Sequence, residues 1–305
     1  MANKRIKNKF SQLSKEGRAG LITFLTAGDP DMATGQNLLN SLPESGADLI
    51  ELGIPFSDPM ADGPVIQASS QRALKAGITL NKILSMVSQF RTFDNTTPII
   101  LMGYYNPIYR YGAQKFFDVA RKAGVDGLII VDLPVEEDEL LEFSKSKEID
   151  LIYLIAPTTD ETRLPIITRQ ATGFLYYVSM TGITGTRSAD RMEVEDAFPI
   201  MREYTELPIA VGFGIKTAKQ AKEIAMFADA VVVGSALVSI IEKNLEGINS
   251  KVDKKRLCSS VLKQVSNLSK AIKAAPKSRN VGQSVCFYYD YVLNSTPFSN
   301  FNNCL

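Results

Sequence analysis

Among its 305 residues the chain has no histidine. That one absence removes His-dependent nucleophilic triads, imidazole metal ligands and imidazole acid–base catalysis together. Proton transfer then falls to carboxylates, Lys, Tyr, Cys or water. Cysteine is scarce as well. Cys258, Cys286 and Cys304 all lie in the last fifth of the chain without a CxxC spacing, so neither a disulfide framework nor a metal site is expected. Charge of either sign is not in excess: 34 Lys and Arg against 33 Asp and Glu leave +1, too little to favour nucleic acid or an anionic membrane. No apolar run approaches the roughly 18 residues that span a bilayer. The opening stretch MANKRIKNKFSQ lacks the apolar segment of a signal peptide. A cytoplasmic protein is expected, with an organelle stroma as the alternative compartment, and with no nucleic acid or membrane among its partners.

What is present is ordinary globular material, 45% hydrophobic and 22% charged, organised as a repeat. Short β-branched runs at 21–26, 48–52, 98–102, 127–131, 150–155, 173–178, 208–211 and 229–233 alternate with helical apolar spacing at 32–44, 80–93, 113–123, 136–147, 162–170, 194–204 and 217–226. Near-continuous hydrophobic strands separated by helices argue for a parallel sheet covered by helices. Eight such units predict an α/β fold closed as a (β/α)8 TIM barrel; an open doubly wound sheet is the alternative, without a GxGxxG after the first strand to support it. Ile6, Phe10 and Leu13 predict an N-terminal helix over 3–16 packed under the barrel, and 256–274 reads as an outer helix. The barrel domain is expected to occupy 1–275. Residues 276–305, rich in Asn, Ser and aromatics without a clean period, read as a flexible C-terminal extension, with a partner-binding segment as the sharper reading.

On this fold the chemistry sits at the C-terminal ends of the strands and in the loops after them. Glu51 interrupts the apolar run of the second strand at a position that faces the core by alternation, and Asp62 follows in the loop. A carboxylate placed there without a partner raises its own pKa. Asp62 before Gly63 also fits plain turn chemistry. The loop between them is shaped by Gly53, Pro55, Pro59, Gly63 and Pro64, and a simple loop would leave Phe56 and Met60 exposed. Gly212-Phe213-Gly214 after the seventh strand and Gly234-Ser235 after the eighth supply backbone amides and a helix N-terminus of the kind that hold a phosphate. Residues 179–190, with small and hydroxyl side chains and two glycines, have the composition of a lid. No Lys lies in any of the eight strands, which weighs against a Schiff-base aldolase.

The stretch Glu51-Leu-Gly-Ile-Pro-Phe-Ser-Asp-Pro-Met-Ala-Asp62-Gly-Pro-Val-Ile-Gln67 closely resembles the signature of the tryptophan synthase alpha subunit, with supporting matches from Phe24-Leu-Thr-Ala-Gly-Asp-Pro30 to Gly234-Ser-Ala236. The resemblance covers about 5–270. It implies retro-aldol cleavage of indole-3-glycerol phosphate to indole and glyceraldehyde 3-phosphate, with Glu51 as the acid–base group and Asp62 accepting from the indole N–H. It further implies that Phe24, Tyr176 and Phe213 line the indole slot, that Gly185, Gly214, Gly234 and Ser235 hold the phosphate, and that Thr184 meets Asp62 when the lid closes. The same resemblance implies a beta subunit as partner in an α2β2 heterotetramer, facing Pro55 to Pro59 and Asn106 with Pro107. Pyridoxal phosphate belongs to that partner, and this chain is expected to bind no cofactor. The segment after Pro276 departs from the family's pattern. Two rivals stand beside this reading: another phosphosugar barrel, such as an isomerase or epimerase, and a binding subunit that only activates its partner.

Overall fold

The computed structural model describes residues 4–137, 139–178, 187–212, 214–245 and 251–276. Along the chain these form α1 (Arg5–Lys15), β1 (Gly20–Thr26), α2 (Met32–Ser41), β2 (Leu49–Gly53), α3 (Pro64–Lys75), α4 (Leu80–Phe90) and β3 (Ile99–Gly103). There follow α5 (Tyr105–Tyr111), α6 (Ala113–Ala123), β4 (Gly127–Ile130), α7 (Leu141–Lys147), β5 (Asp150–Leu151), β6 (Leu154–Ile155), α8 (Leu164–Gln170) and β7 (Leu175–Val178). The described chain ends with α9 (Arg187–Tyr204), β8 (Ile209–Gly212), α10 (Ala218–Ala225), β9 (Ala230–Val233), α11 (Ser235–Lys243) and α12 (Lys251–Lys273).

All pairings are parallel, in the order β5-β4-β3-β2-β1-β9-β8-β7-β6. β5 and β6 are the two halves of the expected fifth strand, parted at Ile152 and Tyr153. The ring closes across that break. Ile152 N–H donates to the Leu128 carbonyl at 2.9 Å, and Tyr176 N–H donates to the Tyr153 carbonyl at 3.1 Å. One short stretch therefore bonds β4 on one side and β7 on the other, so the sheet is a closed (β/α)8 barrel as the eight repeats predict.

Alternation divides the apolar residues into two sets. Ile22, Leu49, Ile100, Ile129, Ile152, Phe174, Ala210, Ala230 and Val232 face inward and form one buried cluster, whereas Leu21, Leu25, Ile50, Leu52, Leu101 and Leu128 meet the helices in the other. The inner cluster also takes Ile6, Phe10 and Leu13 of α1, which plugs the bottom of the barrel, with the Phe10 and Phe174 rings 5.6 Å apart. Gly127 makes room for this plug: a Cβ there would stand 2.6 Å from Cδ1 of Ile152 and 3.1 Å from Cδ1 of Ile6. The outer helices follow their own apolar stripes. In α6, Phe116, Phe117, Ala120 and Ala123 are buried at helical spacing, and Gly124 ends the helix in the left-handed region.

The bottom rim carries a repeated device. Asp48, Asp126 and Asp229 each precede a strand, accept a backbone N–H from a neighbouring strand, and pair with an arginine. Asp48 takes the Leu21 N–H at 2.9 Å and a bidentate Arg18, with both contacts at 2.8 Å. Asp126 takes the Ile99 N–H at 2.8 Å, Arg91 at 2.6 Å and Arg5 at 3.0 Å. Asp229 takes the Ile209 N–H at 2.9 Å and pairs with Arg202.

Several boundaries differ from the sequence reading. α3 and α5 have no counterpart in it, because α3 buries only Ser69, Ser70 and Ala73, and α5 buries only Ile108, so neither has an apolar stripe. α7 starts at Leu141 and not at 136, since Glu136 is engaged by Arg163 at 2.9 Å and Glu139 by the Tyr105 hydroxyl. α9 begins at Arg187, before the first apolar-periodic residue Val194, so the expected lid gives way to helix by that point. Residues 179–186 of that lid, and the extension from 277 onward, lie outside the described residues.

Asp126 is the most heavily used of the rim acids, and its side chain is 1% exposed. Asp126→Ala leaves Arg91 uncompensated and the Ile99 amide without its acceptor. The expected loss is about 3–5 kcal/mol, read from urea unfolding of the two proteins.

Candidate active site

Glu51 stands on β2 in register with Phe24 on β1 and Ile100 on β3. Alternation turns it inward, as the sequence predicts, and it is 1% exposed. Its Oε1 finds no hydrogen-bond partner among the described residues. Burial pushes its carboxyl up to about 8, and the neighbouring charge of Asp62 adds to the shift. A carboxylic acid that keeps its proton at neutral pH is the result.

Asp62 lies in the loop between β2 and α3 and is half-buried. Burial raises its pKa, and a hydrogen bond from the Tyr104 hydroxyl opposes the rise. Because it keeps partial access to solvent and a donor on Oδ2, Asp62 retains its charge more readily than Glu51. The two carboxyls are therefore driven apart in protonation, which is the arrangement that acid–base work requires. Plain turn chemistry does not need a half-buried carboxylate held by a tyrosine.

Tyr104, directly after β3, fixes this loop twice. Its hydroxyl oxygen accepts the Ala61 N–H at 2.9 Å, and its O–H donates to Asp62 Oδ2 at 3.2 Å. Its ring packs 5.2 Å from that of Phe56. Phe56 is thus half-buried, contrary to the simple loop expectation, because the loop folds back onto Tyr104; Met60 stays 83% exposed. From the other side, Gln67 of α3 donates to the Asp62 carbonyl at 2.8 Å. Tyr104 and Gln67 are site residues that the sequence reading misses. The position of Tyr104 just past the C-terminal end of a barrel strand is the available signal.

The aromatic walls depend on glycines. A Cβ on Gly53 would lie 2.6 Å from Cζ of Phe24, and one on Gly234 would lie 3.1 Å from Cβ of Phe24. A Cβ on Gly212 would collide with the Tyr176 hydroxyl. Phe24 and Tyr176 are each 8% exposed. Burial, reinforced by the charge of Glu51, drives the Tyr176 phenol well above its ordinary range, so it stays neutral.

Gly234 caps α11 without a side-chain bond, leaving the amides of Ser235 and Ala236 without an acceptor among the described residues. Gly234, Ser235 and Ala236 are half-buried at the mouth, and Gly214 has φ +74°, the left-handed conformation that glycine adopts freely. Gly234, Ser235 and Ala236 form an N-terminal helix end suited to an anion. Phe213, Thr184 and Gly185 lie outside the described residues. Asn106 is exposed and Pro107 half-buried at the start of α5.

A buried glutamate on a strand, a half-buried aspartate on the following loop, buried aromatic residues and a helix end with open amides make this face of the barrel the candidate site for carboxylate acid–base chemistry. Residues 10–267 match the family model described as "Tryptophan synthase alpha chain". The chain is 51% identical to the tryptophan synthase alpha chain of Gluconobacter oxydans over 271 residues, covering 88% of this chain and 99% of that one. It is also 51% identical to that of Caulobacter vibrioides, covering 90% and 98%. Among solved structures, tryptophan synthase subunit alpha from Legionella pneumophila superposes with a TM-score of 0.81 at 40% identity, covering 89% of this chain and 98% of that one. A chain of tryptophan synthase from M. tuberculosis gives 0.76 at 31%, covering 90% and 100%. The chain belongs to the tryptophan synthase alpha chain family, whose members are lyases of tryptophan biosynthesis.

The raised pKa has a consequence for stability. Folded Glu51 holds its proton to about 8, while an exposed glutamate releases it near the ordinary 4.5. Between those values the native state binds the extra proton, so this group makes stability fall as pH rises across the window. Glu51→Gln removes that slope. In paired urea titrations the variant is expected to match wild type near pH 4.5 and to exceed it at pH 8.5, gaining on the order of 1.4 kcal/mol for each pH unit crossed within the window.

Proposed function

We propose that this chain cleaves indole-3-glycerol phosphate to indole and glyceraldehyde 3-phosphate by a retro-aldol reaction, with Glu51 and Asp62 as its catalytic residues. The observation that carries the reading is the burial of Glu51, which pushes its carboxyl up to about 8, near a half-buried Asp62 that accepts from the Tyr104 hydroxyl. Protonation of indole C3 by Glu51 moves the ring π electrons out of conjugation and leaves positive charge at the ring nitrogen. Glu51, now ionised, takes the proton of the glycerol hydroxyl next to the ring. The O–H electrons form the aldehyde carbonyl, and the C–C bonding pair returns to the ring. Glu51 ends protonated as it began, so the cycle needs no net proton. Asp62 accepts from the indole N–H and offsets the charge that develops there.

Phe24, Tyr176 and Phe213 supply flat apolar walls suited to an indole ring. The family resemblance assigns Ser235, Gly234, Gly214 and Gly185 to the phosphate and Thr184 to a role beside Asp62. Family membership supports a beta subunit as partner in an α2β2 assembly, docking on Pro55 to Pro59 and on Asn106 with Pro107. The exposed Met60 and Asn106 give that face its reach. Pyridoxal phosphate is placed on the partner, and this chain works without a cofactor of its own. No helix among the described residues is long and apolar enough to cross a membrane, in keeping with a proposed cytoplasmic setting. The catalytic domain is taken to end near 275, with 276–305 as an extension to it.

Glu51→Gln is expected to lower indole release by about 10³-fold or more while phosphate-ligand affinity stays within about twofold. Asp62→Ala is expected to lower it by about 10²-fold or more. Native turnover in either variant removes that residue from the mechanism.

Because the acid form of Glu51 starts the reaction, kcat/KM is expected to fall as pH rises through about 8. The fall should approach tenfold per pH unit beyond it. A profile that instead rises through this range contradicts an acid-first cycle.

A further inference from the structure

Outside the carboxylate pair, the most heavily built polar feature at the mouth joins three elements through one side chain. Asp29 follows β1 by three residues and is 1% exposed. Arg72 of α3 grips it with both arms, Nε to Oδ1 at 2.8 Å and Nη2 to Oδ2 at 2.9 Å. The third nitrogen of Arg72, Nη1, lies 3.6 Å from Glu242 in the last turn of α11. Beside this pair, the hydroxyls of Thr26, the last residue of β1, and Ser69 of α3 are 2.6 Å apart.

Burying such a pair is a poor route to stability. Desolvation of both ions offsets most of their attraction, and well-packed apolar residues of similar size do as well or better. A bidentate guanidinium does supply a fixed angle and a fixed distance. What it fixes here is α3, the helix that starts two residues after Asp62. The start of α3 has no side-chain cap of its own, since Gly63 occupies that position. Its first turns instead reach back to the loop through Gln67, whose amide donates to the Asp62 carbonyl at 2.8 Å. A continuous connection runs from Asp29 through Arg72, along α3 and through Gln67 to the backbone of Asp62. Its other end is β1, which carries Phe24 in register with Glu51.

We propose that Arg72, held by Asp29, is a positioning residue that sets where Asp62 stands relative to Glu51, by locking α3 to the end of β1. This rests on the functional reading of Glu51 and Asp62 given above. Because Arg72 also reaches Glu242, the same side chain ties α3 to α11, whose opposite end presents Gly234 and Ser235.

The test uses the full-length chain, steady-state cleavage of indole-3-glycerol phosphate, and thermal midpoints. Wild-type indole release comes first, and its absence defeats the functional reading without bearing on the anchor. Arg72→Met leaves a buried, uncompensated Asp29 and is expected to lose both stability and rate. Asp29→Leu combined with Arg72→Met removes both charges and is expected to bring the midpoint back to within about 3 °C of wild type. In that double variant kcat should stay about 10- to 100-fold low, as a displacement of order 1 Å at a reacting group predicts. KM should change by less than about twofold. Recovery of kcat together with the midpoint overturns the proposal, because the pair would then be structural only. Should the double variant fail to fold, Arg72→Lys decides. It keeps the charge but not the fork, so a kcat fall at near-constant KM supports the proposal, and a native kcat overturns it.

Discussion

A carboxyl group held on the inward face of β2, against the apolar interior of a closed barrel, is the constraint from which the rest of the site follows. Water would lower the pKa of Glu51 and make it a poor candidate for the proposed acid at neutral pH. The structure keeps it 1% exposed by seating it in register with Phe24 and Ile100. That requirement reaches outward. Phe24 can stand there only because Gly53 and Gly234 have no side chains, and Tyr176 only because Gly212 has none. Three positions that look like loose punctuation at the strand ends are thus partly fixed by the walls around one acid: Gly53, Gly212 and Gly234.

The two ends of the barrel treat charge differently. At the bottom, Asp48, Asp126 and Asp229 are each given a backbone amide and an arginine, so their charges are satisfied and their work is structural. Asp150, in the same rim, has Thr172 as its partner, and burial beside Asp126 drives its carboxyl up to about 6. At the top, Oε1 of Glu51 has no partner among the described residues, and Asp62 receives the Tyr104 hydroxyl at 3.2 Å. The arginine-paired acids of the bottom rim serve the framework, and the unpartnered Oε1 of Glu51 lies at the end proposed for catalysis. This is the usual division of labour on the fold, here read from individual donors and acceptors.

Much of this is legible in the sequence, for identifiable reasons. A parallel strand buried on both faces must be a near-continuous apolar run, so the strands announce themselves, and an acid inside one of them stands out. The Gly-Ser pair after β9 and the N-terminal helix under the barrel are visible on the same grounds. What escapes the sequence depends on partners distant along the chain. Tyr104 is 42 residues from the acid it bonds, and Arg72 is 43 from Asp29. α3 packs through serines and an alanine, so no periodic stripe marks it, although Pro64 is a start signal. The split of the fifth strand at Ile152 and Tyr153 reflects barrel closure, a property of the ring and not of any local segment. Likewise, Phe56 looks exposed along the sequence because its contact with Tyr104 exists only once the loop folds back.

The central claim is that Glu51 is protonated in the resting enzyme at neutral pH. Infrared difference spectra of wild type minus Glu51→Gln, recorded across pH 5 to 10, test it directly. A protonated Glu51 predicts the carbonyl stretch of one carboxylic acid at pH 7, lost with a midpoint near 8. A difference spectrum showing only carboxylate bands at pH 7 would contradict it.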